Sequence, residues 1–139
     1  MLRKKAEVYL YKKTITTDKE AFYNITPYVK EAVAQSGVKE GICVVYCPHT
    51  TAAITINENA DEYVAKDVIF AAKKVFPRFP EFRHDEGNSD GHVKSSVFGA
   101  SETLIIENGK IVLGRWQDIY FAEFDPPRTR NFYVKIIEG

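Results

Sequence analysis

An α+β fold with mostly antiparallel sheet is what this chain predicts, and three observations predict it. Runs rich in Val, Ile, Tyr, Phe and Thr outnumber helical runs and cluster in the carboxy-terminal half. Two segments carry apolar residues at helical spacing instead. Asn108-Gly109, between Thr103–Ile106 and Lys110–Leu113, is the strongest short hairpin signal a sequence offers. At 139 residues the chain has the size of one domain, and two would leave undersized cores, so residues 1–139 are read as a single unit.

The elements follow in order. Glu7 to Lys12 and Lys13 to Thr17 read as strand, with Ala21 to Ile25 as a continuation. Thr26-Pro27 predicts a helix start, a capping side chain followed by proline, and Val29, Ala32 and Val33 form its apolar stripe until Gly37 stops it. Gly41 to Cys47 is apolar on both faces and therefore a buried strand, ended by Pro48. Thr51 to Ile56 reads as a second strand close behind it. Between Asp61 and Val75 the period turns helical, with Asp61 as the cap, and Pro77 and Pro80 close that helix before a long polar loop. His92 to Ser96 is ambiguous between helix and strand. Trp116 to Phe124 and Phe132 to Ile137 complete the strands.

Composition narrows the function. The 45% hydrophobic and 27% charged residues suit a packed, water-facing domain. With 19 basic and 19 acidic side chains, the electrostatic footprint of a nucleic-acid binder is missing. The amino-terminal MLRKKAEVYLYKK is no signal peptide, and no stretch approaches the ~20 apolar residues that span a bilayer. A cytoplasmic protein without membrane or nucleic-acid partners is expected. Cys43 and Cys47 sit on one strand roughly 13 Å apart at ~3.3 Å per residue, too far to bridge, and read as reduced core thiols.

The polar residues gather in three places: Pro48 to Thr51 and on to Asn57–Asp61, His84 to Lys94, and Arg115 to Arg128. The second place, HDEGNSDGH, holds two of the three histidines in a stretch with no apolar residue to enter a core. The polar loop that contains it runs to about fifteen residues, a length uncommon in a compact domain unless the loop is functional or disordered, and its glycines and histidines suggest a shaped backbone bearing ligands. A solvated loop with idle histidines is the alternative. Three neutral imidazoles with a water in the fourth position make an open zinc site, and the full complement is His49, His84 and His92. Asp85, Glu86 and Asp90 suit a fourth ligand or partners that fix the imidazole tautomer, although the His84–His92 spacing matches no standard zinc motif. Glu58, Asp61 and Asp90 are the candidate general acids or bases. Helix capping around Asn57 to Asp61 is the plainer reading of Glu58 and Asp61. Lys94 and Arg128 are candidate anion clamps.

HTTAAITINENAD (His49–Asp61), HDEGNSDGHVKSS (His84–Ser96) and ENGKIVLGRWQDIYFAEFDPPRTR (Glu107–Arg130) resemble, in order and spacing, the three signature blocks of the YjbQ-like family, also called the secondary thiamine-phosphate synthase family. The resemblance covers nearly the whole chain from the first helix onward. It implies a two-sheet, mostly antiparallel β-sandwich with two to three helices, assembled as a homotrimer, and signature residues converging on one cleft. Metal ligation by His49, His84 and His92 gains from it. Thr50, Asn57, Asn88, Lys94, Trp116, Gln117 and Arg128 are implied as substrate-binding residues and Glu58, Asp61 and Asp90 as catalytic ones, with Asp85 and Glu123 also matching the pattern. Gly91 stands where the family often has Ala or another small residue, which should loosen the backbone before His92, and Arg115 and Asp118 also depart from the commoner form.

The activity associated with that family is weak joining of a pyrimidine pyrophosphate to a thiazole phosphate, giving thiamine phosphate and pyrophosphate. Such a reaction needs cationic or metal-bound stabilisation of the leaving pyrophosphate. The expected cofactor is therefore a divalent metal, zinc first and magnesium as the alternative, and the expected ligand a small phosphorylated metabolite. Two other readings keep the site: a metal-dependent hydrolase of a phosphoester or amide, and a non-catalytic trimeric module that holds a metabolite or metal. The aromatic density of Tyr120, Phe121, Phe124 and Phe132 suggests apolar surface available for trimer contacts.

Overall fold

The computed structural model describes residues 8–139, so Glu7 and the basic residues before it lie outside the described part. In chain order the elements are β1 (Tyr9–Thr17), β2 (Ala21–Asn24), α1 (Thr26–Ser36), β3 (Gly41–Tyr46), β4 (Ala52–Glu58), α2 (Glu62–Val75), α3 (Ser89–Phe98), β5 (Ser101–Glu107), β6 (Lys110–Ile111), β7 (Gln117–Glu123) and β8 (Arg128–Glu138). The strands form two sheets, a five-stranded one ordered β1-β8-β3-β5-β6 and a three-stranded one ordered β2-β7-β4. Every pairing is antiparallel. The α+β sandwich with three helices is thus the observed architecture.

The alternation of side chains explains the layers. Cys43, Val45, Leu104, Val134 and Ile136 of the large sheet meet Ile54, Ile119 and Phe121 of the small one, with Val29 and Val33 of α1 closing the same core. On the small sheet's other face, Ala53, Ala122 and Phe124 pack with Ile69 of α2 and with Phe22 and Phe98. Both faces of the small sheet are therefore covered, which is why β4 and β7 are apolar at successive positions. Each fully buried Val, Ile or Phe side chain contributes about 1.5–3 kcal/mol to that assembly.

Local signals account for most boundaries. Asn108 and Gly109 both take positive φ, 52° and 76°, as a two-residue hairpin turn requires, and join β5 to β6 with Ile106 opposite Ile111. Asp61 caps α2 by accepting from the Tyr63 N–H at 2.9 Å. Gly37, at φ 69°, ends α1.

Four expectations change. Ala21–Asn24 does not continue β1 but crosses to the other sheet, because Asp18 and Lys19 donate their backbone N–H groups to the Tyr23 hydroxyl and make a turn between the two. Thr26 is inside α1 rather than its cap; its hydroxyl accepts from the Ile119 N–H at 2.8 Å, while Asn24 Oδ1 accepts from the Thr26 N–H. His92–Ser96 lies within α3, so the polar loop ends at Asn88. Tyr120, Phe121, Phe124 and Phe132 are all buried and fill the core. The exposed apolar row lies elsewhere, on the outer face of the large sheet: Ile42 sits between Ile137 and Ile105, with Val112 beyond, all four exposed.

Both thiols are free and buried, as expected, and burial pushes Cys43 up to about 12 and Cys47 up to about 11. No helix among the described residues is long and apolar enough to cross a membrane.

Candidate functional site

β3 ends where Pro48 cannot continue the ladder, and the chain turns through His49 and Thr50 into β4 at one end of the small sheet. β7 arrives there antiparallel, with Glu123 opposite Ala52, and the return into β8 brings Arg128 and Arg130 alongside. The His84–Asn88 segment and the first turns of α3 close the opposite wall. Between them lies a polar cleft of about 310 Å³, lined by His49, His84, His92, Thr50, Thr51, Glu86, Asn88, Arg128 and Arg130.

Its floor is a buried ion pair. Glu123 is 0% and Arg130 5% exposed, and the guanidinium grips the carboxylate through Nε and Nη2. Thr17 donates to the same carboxylate at 2.6 Å, the Asp125 N–H donates at 2.9 Å, and Arg130 Nη2 also donates to Thr51 Oγ1 at 2.9 Å. Burial alone would raise the Glu123 carboxyl, but the hydrogen bonds from Arg130 and Thr17 outweigh it and hold the group below its ordinary range. Every oxygen of the pair is used, which is the condition under which a buried ion pair persists.

A second, shallower pair stands beside it. Asp125 accepts from Arg128 Nη2 at 2.8 Å and from Asn88 Nδ2 at 2.7 Å. Here too burial raises the carboxyl, and hydrogen bonds from Asn88 and Arg128 reverse the shift. Because a carboxylate only accepts, the Asn88 amide must present its NH₂ to Asp125, which leaves Oδ1 buried with no partner among the described residues.

The histidines hold different positions. His49 accepts the Asn131 N–H on Nε2 at 2.9 Å, so its proton belongs on Nδ1. Burial, aided by the Arg130 charge, lowers its pKa and keeps it neutral at physiological pH. His84 and His92 face each other edge to plane, ring centres 5.2 Å apart. Gly87, at φ 72°, turns the chain between them, its N–H donating to the His84 carbonyl. Gly91 does not loosen the backbone: a Cβ there would stand 3.2 Å from the Phe124 carbonyl and 3.4 Å from Thr51, so this position lets α3 approach the start of β4 and the end of β7 closely.

Seven of the sequence-predicted residues therefore share the cleft: His49, His84, His92, Thr50, Glu86, Asn88 and Arg128. Asn57, Glu58, Asp61, Trp116 and Gln117 do not. Asn57 and Glu58 pair with Asp118 and Gln117 at the far end of β4, seven residues or roughly 20 Å away at ~3.4 Å per residue. There Asp61 caps α2, Gln117 accepts the Gly114 N–H, and Trp116 is exposed with Arg115 over its ring. Lys94 is 1% exposed and points away from the cleft, its Nζ 2.8 Å from Glu20 and 3.6 Å from Asp90, which also meets Arg78. Neither Lys94 nor Asp90 lines the cleft, and Asp85 is an exposed loop residue. Arg130 was missed, although the parity it shares with Phe132, Val134 and Ile136 marked it as inward-facing.

Among the described residues no three His, Cys, Asp or Glu side chains converge to hold a metal ion. With the His49 Nε2 committed to Asn131, a three-histidine set does not fit this arrangement; the His84–His92 pair alone has its rings together.

Fold and cleft together define a class: a small two-sheet sandwich with a histidine- and arginine-lined cleft at one end of its shorter sheet. A family model described as UPF0047 protein YjbQ-like matches residues 11–139, and the chain belongs to that family. It is 56% identical over 129 residues to a UPF0047 protein of Methanocaldococcus jannaschii, covering 92% of this chain and 94% of the relative. It is 49% identical to YugU of Bacillus subtilis, covering 88% and 93%. Among solved structures, a YjbQ/UPF0047 family protein of Clostridium acetobutylicum superposes with TM-score 0.89 at 52% identity, covering 91% of this chain and 99% of that one. A protein of unknown function from Sulfolobus solfataricus does so with TM-score 0.91 at 30% identity, covering 96% and 99%.

Proposed function

We propose that the protein is a metal-binding enzyme acting on a small phosphorylated metabolite in the cleft between His49, His84, Asn88 and Arg128. The observation that carries this reading is that a group suited to phosphate and a pair suited to a cation share one cleft above a fixed, fully hydrogen-bonded floor. Asp125 holds Arg128 through Nε and Nη2, leaving the other donors of its fork for phosphate oxygens. His49, neutral and protonated on Nδ1, offers a further donor. A divalent ion at the His84–His92 pair would supply Lewis acidity toward phosphoryl oxygens, and imidazole donors favour zinc over magnesium.

Size favours one substrate over two. About 310 Å³ is the lower end of the range for a single small-molecule site. Hydrolysis or binding of one phosphorylated molecule therefore suits a single chain. The thiamine-phosphate synthase reaction, which must seat a pyrimidine pyrophosphate and a thiazole phosphate together, is the second reading and calls for room supplied by a neighbouring copy. The exposed row Ile137, Ile42, Ile105 and Val112 supports such assembly, and a homotrimer is part of that reading. A cytoplasmic location belongs to the same proposal, supported by the two free thiols.

The test is turnover by the purified full chain with zinc present. Release of phosphate from single phosphoesters supports the first reading, and formation of thiamine phosphate from the two precursors supports the second. Arg128→Ala is expected to weaken either by about tenfold or more. Thermal stabilisation by phosphorylated ligands without turnover would leave a binding module and overturn the enzyme assignment.

A further inference from the structure

We infer that the space beneath α2, on the outer face of the small sheet, is a second ligand site, one that takes a flat aromatic ring carrying a positively charged amino or amidino group. It lies outside the cleft between His49 and Arg128 and goes beyond the function proposed for that cleft.

The space follows from the sequence of α2. Glu62, Ala65, Lys66 and Ile69 recur at helical spacing and share one face, and the small Ala65 stands in its middle. Of the fourteen residues of α2 only Ile69 and Ala72 are buried, so the helix leaves room under its first turns. Opposite, Phe22 and Asn24 of β2 and Asp118 and Tyr120 of β7 alternate onto one face of the sheet. The cavity between helix and sheet is about 550 Å³, larger than the cleft and of the ordinary size for a small-molecule site. Glu58, Asp61, Trp116 and Gln117 do not line it.

Its floor is aromatic and fixed. The rings of Phe22 and Tyr120 lie 5.5 Å apart, centre to centre, and Phe98 meets Phe22 edge-on at 6.1 Å. The Tyr120 hydroxyl is held by donating to the Glu58 carbonyl at 3.1 Å. With Ile69 on the helix side, such a floor suits a planar ring, because aromatic rings favour offset and edge contacts with one another.

Charge selects what the ring carries. Glu20 is engaged by Lys94 and Lys73, Glu62 by Lys66, and Lys19 is exposed beside Asp18. Asp118 differs: among the described residues no cation pairs with it, and only Asn24 Nδ2 donates to its carboxylate, at 2.6 Å. Asn24 is itself anchored, its Oδ1 accepting the Thr26 N–H at 3.0 Å, so one Asp118 oxygen is held and the other is left for a ligand. Burial raises the Tyr120 hydroxyl above its ordinary value, and the charges of Asp118 and Glu58 add to the rise, as expected of a region that favours a cation. A half-buried carboxylate beside an aromatic floor is matched by a ring whose substituent is both cation and donor, and it repels phosphate.

Heteronuclear NMR on the isotope-labelled full chain tests the site with benzamidine, benzamide and benzoate, three probes that share a ring and differ in charge. Benzamidine is expected to shift the backbone signals of Phe22, Asn24, Asp118 and Tyr120 and to bind about tenfold or more tightly than benzamide, the gain of a charge-assisted hydrogen bond. Benzoate should bind weakest. Asp118→Asn, which keeps an acceptor for Asn24, should bring benzamidine to the level of benzamide while benzamide stays within about twofold. Ala65→Phe fills the cavity from the helix side and should weaken both by about tenfold or more. Should that variant not fold, Asp118→Asn decides alone. Shifts confined to the His84–Arg128 cleft, equal binding of benzamidine and benzoate, or no shift with any probe overturns the site. An oligomer, seen by light scattering, whose formation excludes benzamidine also overturns it and makes the cavity an interface between copies.

Discussion

At the end of the small sheet where β4 begins, Glu123 and Arg130 are withdrawn from water and every oxygen is hydrogen-bonded; at the end where β4 finishes, Glu58, Asp61, Trp116 and Gln117 stand at or near the surface. Both ends carry residues that the signature blocks mark. They differ in what folding has to overcome to place them. A buried, paired carboxylate costs several kcal/mol of desolvation and persists only where its partners are fixed, whereas an exposed carboxylate costs almost nothing to keep. The near end is therefore the constructed one, and the far end gains importance only if another copy covers it.

The comparison breaks first at Glu123. Glu123→Leu, which leaves the Arg130 charge buried without its counter-charge, is expected to destabilise the fold by about 3–5 kcal/mol. Denaturant titration showing a loss below about 1 kcal/mol would mean that the near end is not rigid. Acid titration is the next test. His49 has a lowered pKa in the fold, so the unfolded chain takes up that proton first, and stability should begin to fall as pH drops below the ordinary value of 6.5. Glu123 and Asp125, also lowered, contribute stability that is present above 4.5 and 3.8 and is lost as pH falls through their folded values. His49→Gln should remove the upper limb of that decline, and Glu58→Gln should leave both limbs in place. An unchanged upper limb in His49→Gln would assign it to another group.

Smaller effects sharpen the contrast. The Arg128–Asp125 pair is half exposed on the arginine side, so Arg128→Ala should cost less than about 1 kcal/mol of stability while weakening phosphate ligands. Equal losses in both measurements would make Arg128 a structural residue. Smallest of all, Trp116→Ala should stay within about 0.5 kcal/mol in a dilute single chain. If it nonetheless lowers turnover at concentrations where light scattering shows trimers, the far end of one copy serves the near end of the next.

Local chemistry was legible in the sequence and long-range placement was not. The Asn108-Gly109 turn, the Asp61 cap and the central strand before Pro48 could all be read because each depends on a few adjacent residues, although only one face of that strand is buried and Ile42 and Tyr46 are exposed on the other. α3 was hidden because SDGHVKSSVF has almost no amphipathic contrast: it packs through Gly91, Lys94 and Ser95 rather than through an apolar stripe. The split of β1 from β2 turns on a hydroxyl contact from Tyr23 that no periodicity encodes. Four of the cleft's polar residues, Thr50, Glu86, Asn88 and Arg128, were grouped correctly with the histidines, yet the block His49–Asp61 was read as one site although the strand within it separates its two ends. Lys94 looked like an anion clamp because its partner, Glu20, is 74 residues away.

That same lysine gives the protein an internal clock. An amine-reactive reagent meets the surface lysines at once, but reaches Lys94, 1% exposed on the inner side of α3, only when the helix lifts from Glu20 at the entry to β2. Because α3 also carries His92, the rate at which this one amine is modified measures how often a wall of the cleft opens, and it does so on the native chain with no substitution.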